Sequence, residues 1–454
     1  LSTWLFGKGV WQFHIVSAAF GFFAVLGVYL LAKRLLGKNV ALMSAFLMAV
    51  SAYPVDVTRT AFRANMVPLL STLTLLFLVK CYQAATAKEK YWSAGLAGMC
   101  FALGFYTYPS FRMMLPLILG FGILIVVGLR HRFRQLVADY TRYKLVFLAS
   151  FLVFISWLAS YFIAHPDSFV GRSGQVSIFN INLNHGDLFG TFFSVFKATV
   201  LAFFTHGDLN WRHNISGFPF LPPMVSPLFA AAWIIFTIAI VRLLWQVWKK
   251  QLDATTVYQA LIATWFWFML APEVSTAEGI PHGLRLTGTI APLFIMSGYG
   301  FQWLWRRIRH WSFLTHYRYY FLGIFAATLI IYNFNLYFTV AANSPDYYYA
   351  FRSDLTAVSD YLNRRADGAH TYLSLDDYSV QTVEYLTADT HQPYQLLDPA
   401  HTYEVQLNSG DQVVFTQSTI FDRTKFAAAH PEAMLVQQEK NQFGQLIMLV
   451  YQQP

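Results

Sequence analysis

A succession of apolar runs, each long enough or nearly so to cross a bilayer, constrains this chain before anything else does. The runs fall at 11–32, 39–53, 64–82, 91–108, 112–129, 144–164, 225–247, 257–272, 287–305 and 319–341, about ten in all. Hydrocarbon offers the backbone no water, so each run must satisfy its own N–H and C=O groups as a helix. Pro68 and Pro116, inside two of the runs, are tolerated in that setting. The run 39–53 is short and reads as tilted or partly re-entrant. Charged residues make up only 12% of the chain, against about 25% in a soluble protein. The fold class is therefore mainly α, a polytopic transmembrane helical bundle.

The loops set the orientation. One alternate set holds Lys33, Arg34 and Lys38; Lys80, Lys88 and Lys90; Arg130, Arg132, Arg134, Arg142 and Lys144; Arg242, Lys249 and Lys250; and Arg306, Arg307, Arg309 and Arg318. The positive-inside rule places these in the cytoplasm, and they account for the net charge of +9 without any nucleic-acid partner. The other set, 54–63, 109–112, 165–224 and 273–286, is poor in Lys and Arg and rich in His, Asp, Asn, Gly and Pro, and is expected to face out. The implied location is the cell membrane, with many passes. Both ends of the chain fall outside, the first residue is Leu1, and no signal peptide is visible; with a cytoplasmic N-terminus, an odd number of spans is expected before Leu1. Cys81 and Cys100 lie at the end of one span and inside another, which suits neither a disulfide framework nor a metal site.

Residues 1–344 read as the membrane domain and 345–454 as a small α/β domain on the external face. Within the long loop 165–224, the stretch 191–204 is apolar but short and suits a helix lying in the interface. After 345, the patterns predict helices at 354–366, 380–386 and 421–430, strands at 371–375 and 412–416, and a strand pair at 433–438 and 445–451. No Gly-rich nucleotide loop occurs there.

Four groups of residues on the outward set can carry chemistry. Asp56, Arg59 and Arg63 put ionised groups at the bilayer edge, where charge is costly unless it is paired, hydrated or bound to a ligand. Two arginines four apart suit a phosphate; the plain alternative is an ion pair that orients a turn. Tyr106, Tyr108 and Arg112 form the second group, either interface anchors or the lining of a sugar or lipid-phosphate groove. His282 and Arg285 follow Pro281 just ahead of the span 287–305. The run His206, Asp208, Asn210, Arg212 and His213 is the fourth. Imidazole and carboxylate can ligate divalent ions, but the spacing matches no tight metal motif, so the run reads as a loop folding over a substrate and no cofactor is expected.

Taken together, Ser51 to Arg63, Tyr106-x-Tyr108 with Arg112, the loop 206–214 and Pro281-His-x-x-Arg285 resemble the GT-C membrane glycosyltransferases. The likeness is to bacterial relatives of the protein O-mannosyltransferase and lipid A aminoarabinose transferase families, over about residues 10–340. The resemblance implies inverting transfer of a sugar from a polyprenyl-phosphate donor to a glycan, lipid or protein acceptor on the outer face of the membrane. It also implies a base in the first external loop, which would precede Leu1, and Arg59 and Arg63 neutralising the leaving phosphate. Within the chain Asp56 is a candidate base, at a position where relatives often carry histidine. A transporter or flippase of a lipid-linked sugar, and a non-catalytic scaffold, are the alternatives. A transporter tends to show inverted repeats and polar groups near mid-membrane; here no repeat is evident and the charges gather at the rim.

Overall fold

The computed structural model describes residues 2–171, 174–308, 310–365, 370–390 and 393–454; Arg309 and the last residue of the expected helix 354–366 lie outside them. The chain divides into two units, Leu1–Phe13 with Asn343–Pro454, and His14–Ala342.

Helices occupy every expected run, and among the described residues seven are long and apolar enough to cross a membrane, or eight if the bent pair Lys38–Val50 and Ala52–Arg59 counts as one span. That is fewer than the ten apolar runs suggest, for a local reason. Ala87–Gly104 carries Lys88, Glu89 and Lys90 in its opening turn, and Ile290–Ile308 ends on Arg306 and Arg307. The run 91–108 also stops short as a helix at Gly104. Tyr108 precedes a proline and is extended, with φ −128° and ψ 146°, as the clash with a proline ring demands.

The expected irregularity at 39–53 is a 59° bend. Ser51 turns its hydroxyl back onto the Leu47 carbonyl at 2.7 Å, a bond that competes with the helical ladder. The freed N–H of Ala52 donates to Asn333 Oδ1 at 2.8 Å, which satisfies that donor from outside the helix. The bend delivers Ala52–Arg59 to the end of the bundle where the candidate residues lie. Elsewhere the helices close up through small residues, as membrane helices do: a Cβ on Gly300 would stand 2.0 Å from the Leu228 carbonyl oxygen. The interior holds Phe203, Phe220, Phe229, Trp265 and Phe266, all fully buried. The apolar stretch expected at 191–204 is the helix Leu188–Ala202, with Val195, Thr199 and Ala202 buried and Phe189 and Phe193 exposed.

The other unit is built on a five-stranded sheet of order β2-β1-β3-β5-β4. The strands are β1 (Thr371–Ser374), β2 (Gln395–Leu397), β3 (Gln412–Thr416), β4 (Met434–Lys440) and β5 (Leu446–Gln452). β1 pairs in parallel with β2 and β3, while β5 is antiparallel to β3 and β4. Leu355, Val358 and Leu362, at helical spacing, cover one face with Val414, Met448 and Val450; Phe415 and Phe426 sit on the other with Leu449. β2 is the strand that the sequence pattern missed; three residues hemmed in by Pro393 and Pro399 show no periodicity. Leu1–Phe13 belongs to this unit, with Lys8 paired to Asp389 at 2.7 Å and Phe13 against Tyr385 with ring centroids 4.7 Å apart.

Arg352 holds this unit together electrostatically. Its guanidinium grips both oxygens of the fully buried Asp354 at 3.0 Å and reaches Ser379 Oγ at 2.8 Å. Arg352→Ala strands a buried carboxylate and is expected to destabilise the unit by about 3–5 kcal/mol. Hydrogen exchange of β1 and β3 amides in the full chain would show it; unchanged protection would refute it. Burial works against ionised Asp376, but hydrogen bonds from Ser379 and the charge of Arg352 outweigh it and hold the carboxyl below its usual range. A carboxylate with a depressed native pKa stabilises above its unfolded pKa and loses that contribution as pH falls. The same exchange measurement is therefore expected to show protection declining below about pH 4.

Candidate functional site

Three of the loops with few basic residues meet around Asp208. Its Oδ1 accepts the N–H of Asn210 at 2.8 Å, closing the turn locally as aspartate commonly does. Its Oδ2 accepts the N–H of Gly283 at 2.7 Å and faces His213 Nδ1 at 3.0 Å. The His213 ring stacks on His282, centroids 4.3 Å apart and planes at 25°. Tyr53, on the bent helix, donates its hydroxyl to the Gly283 carbonyl at 2.6 Å. Phe62 meets the His213 ring edge-on at 5.9 Å. Residues 53–62, 208–213 and 282–283 thus form one clasp.

Glycine is required at 283, because a Cβ there would stand 2.5 Å from the His213 carbonyl oxygen. Gly283→Ala forces the two loops apart and is expected to cost about 1–3 kcal/mol. A lower melting temperature in detergent would report it, and an unchanged one would show that the loops are not tightly apposed.

Beside the clasp lies a cavity of about 770 Å³, lined by Tyr108, Arg112, Asn210, Glu278, His282 and Arg285 among others. Arg285 is fixed on three sides: Nη1 donates to Thr276 Oγ1 at 2.9 Å and to the Glu278 carbonyl at 2.7 Å, and stands 3.7 Å from Glu273 Oε2. Glu273 is fully buried, and its Oε1 accepts the backbone N–H of His282 at 2.8 Å. Arg112 donates to the Phe169 carbonyl at 2.8 Å and lies 4.4 Å over the Phe169 ring. The far wall is a short bridge between Ser177 and Thr276. Burial, then the neighbouring His213 and Arg285 charges, push the His282 imidazole down to about 3, so it is neutral at physiological pH.

A second cavity of about 330 Å³ is lined by apolar side chains including Ala18, Phe22, Val25, Met48 and Pro54, with Arg59 in its wall. Arg59 is exposed, its guanidinium 5.2 Å over the Tyr337 ring, and its carbonyl is hydrogen-bonded by His14. Arg63 is exposed at the start of a short turn of 3₁₀ helix leading into Met66–Gln83.

The expected residues therefore separate. Tyr108, Arg112, Asn210, His282 and Arg285 share the larger cavity, Arg59 lines the smaller, and Asp208 and His213 form the wall-side clasp. Asp56 is fully buried and lines neither cavity, so the structure does not set it against a substrate as a base. Tyr106 is an anchor: its hydroxyl donates to the Phe154 carbonyl at 2.9 Å and accepts the Leu158 N–H at 3.2 Å. His206 is exposed, and Arg212 lies 5.2 Å over the Phe62 ring; both are outside the cavity linings. Glu273 is the residue absent from the expected set, although a lone acid at the end of an apolar run was a signal for it. Ser177 carried none.

Residues 1–157 match the dolichyl-phosphate-mannose-protein mannosyltransferase family. A search of curated protein sequences finds no match. Among solved structures, the chain is similar to ArnT from Cupriavidus metallidurans bound to undecaprenyl phosphate: 13% identity, TM-score 0.59, covering 99% of this chain and 85% of that one. The apo form of the same protein gives 12% identity and a TM-score of 0.56 over the same coverage. An archaeal oligosaccharyltransferase, AglB from Archaeoglobus fulgidus in complex with an inhibitory peptide and a dolichol-phosphate, gives 12% and 0.48, covering 98% of this chain and 63% of that one. The chain shares the polytopic helical fold of that ArnT, with a small C-terminal sheet.

Proposed function

We propose that the chain is a membrane glycosyltransferase that moves a sugar from a polyprenyl-phosphate donor to a glycan, lipid or protein acceptor on the outer face of the cell membrane. The observation that carries this reading is the pairing of an apolar cavity with a larger, more polar one around one clasp. The smaller is apolar with Arg59 in its wall, which suits a prenyl chain whose phosphate meets a guanidinium. The larger carries Arg112, Arg285, Tyr108 and Asn210, groups that recognise sugar hydroxyls and phosphate oxygens. The likeness in fold to an ArnT bound to undecaprenyl phosphate supports the same donor class. The loops around both cavities are the ones poor in Lys and Arg, which supports an outward-facing site and an extracytoplasmic C-terminal unit.

In such a transfer the acceptor hydroxyl attacks the anomeric carbon, the bond from that carbon to the phosphate oxygen breaks, and the lipid phosphate leaves with the electron pair. The acceptor proton passes to a carboxylate. Arginines at the leaving oxygen stabilise charge that develops only in the transition state, which accelerates the step rather than merely binding substrate.

The test is sugar release from a polyprenyl-phosphate donor by the full-length gene product in detergent, supplied with envelope extract as acceptor. Free prenyl phosphate accumulating with protein, and competition by added undecaprenyl phosphate, are expected. Donor that crosses the membrane of reconstituted vesicles without being cleaved would replace the enzyme with a transporter.

A further inference from the structure

The Asp208, His213 and His282 cluster has a composition and geometry that a hydrogen-bonded clasp does not account for. One ligand-capable atom from each lies within 4.8 Å of the other two. Asp208 and His213 are 5% and 8% exposed. Among the described residues, the buried His282 Nδ1 has no hydrogen-bond partner; a buried polar atom left so costs about 1–3 kcal/mol. The two imidazoles are stacked face to face, which brings their nitrogens together without any bond between them to reward it.

We propose that Asp208, His213 and His282 form a binding site for one divalent transition ion of the zinc class, with a coordination position open to the larger cavity. Zinc takes imidazole and carboxylate ligands at about 2.0–2.2 Å in a tetrahedron, which spaces ligand atoms about 3.3–3.5 Å apart. The Asp208 Oδ2 to His213 Nδ1 distance of 3.0 Å is already near that, and the remaining separations close with side-chain rotation. Two imidazoles with one carboxylate suit zinc, cobalt or nickel, whereas magnesium and calcium prefer oxygen cages. Three protein ligands leave a fourth position, the pattern of sites that hold a reacting oxygen rather than of closed structural ones. His282 lines the larger cavity, so that position faces it and would take an oxygen ligand from there. The outer shell is also present: Asp208 Oδ2 is oriented by the Gly283 N–H at 2.7 Å, the kind of support that ligating carboxylates need. The run 206–214 concealed this site in the sequence because its third ligand is not His206 but His282, from a different loop.

The experiment reads the metal alone and not turnover, so its outcome is separate from that of the transfer assay. Full-length protein carrying a histidine-free tag is stripped with chelator, dialysed against zinc, and its metal counted by mass spectrometry; cobalt is titrated in parallel and its visible absorption recorded. Wild type is expected to retain about one ion per chain, and His282→Ala and Asp208→Asn to bind at least about 100-fold more weakly. Zinc should raise the melting temperature of wild type and leave that of His282→Ala unchanged. If Asp208→Asn fails to fold, His282→Ala decides the question alone, since its side chain is on the cavity wall. Wild type that takes up no ion at micromolar zinc, or variants that retain as much as wild type, overturns the proposal.

Discussion

Arg285→Ala is expected to cost about 1–3 kcal/mol of stability, because it removes the donor that Thr276 and the Glu278 carbonyl share beside the buried Glu273. Glu273 is fully buried, with one oxygen held by the His282 N–H and the other 3.7 Å from the Arg285 guanidinium. The same guanidinium pins Thr276 and the Glu278 carbonyl, so its loss frees the whole 276–285 wall of the larger cavity. Two second variants separate charge from packing. Glu273→Gln in the Arg285→Ala background removes any charge at that position: a recovered melting temperature would place the loss at Glu273, and an unrecovered one in the bonds to Thr276 and the Glu278 carbonyl. Arg285→Lys keeps the charge without the planar fork and should fall between. An Arg285→Ala protein that melts like wild type would mean that water takes the guanidinium's place at Thr276 and the Glu278 carbonyl.

The membrane bundle was legible because its physics is local. Apolar length and loop charge are read one segment at a time, and helices stand at every run they mark. The α/β unit was nearly as legible, since Leu355, Val358 and Leu362 announce a helix face and alternate residues announce β4 and β5. The site was legible only in part. Tyr108, Arg112, Asn210, His282 and Arg285 were recognisable because charge or aromatic character in an outward loop demands an account, and the cavity unites them. The partnerships were not. Nothing in the spacing tells that Asp208 bonds Gly283, 75 positions away, or that Asp56 points into protein while Arg59, three residues on, lines a cavity. Helix periodicity does not make that division, since 56 and 59 lie only about 60° apart around the axis; Arg59 is exposed as the last residue of the eight-residue helix Ala52–Arg59, whereas Asp56 lies within it.

That division sets what Arg59 and Arg63 can do, and predicts how their loss will read out. Neither is buried, so Arg59→Ala and Arg63→Ala leave no stranded partner in the core and should fold and melt as wild type does. If they stabilise the leaving phosphate, the loss falls on the transition state. Turnover should drop by about 100- to 1000-fold for the more important of the two, with a smaller change in the donor KM. Filling the apolar cavity should do the reverse. Val25→Trp narrows the space that Ala18, Phe22 and Met48 share, so it should raise the KM for donors with long prenyl chains and spare those with short ones. Steady-state kinetics with a long and a short donor distinguishes the two effects in one experiment. Arginine variants that raise only KM would make Arg59 and Arg63 binding groups for the phosphate rather than stabilisers of its departure. Arginine variants with wild-type kinetics throughout would leave both as exposed interfacial cations, and the phosphate would have to be sought at Arg112 and Arg285 in the larger cavity.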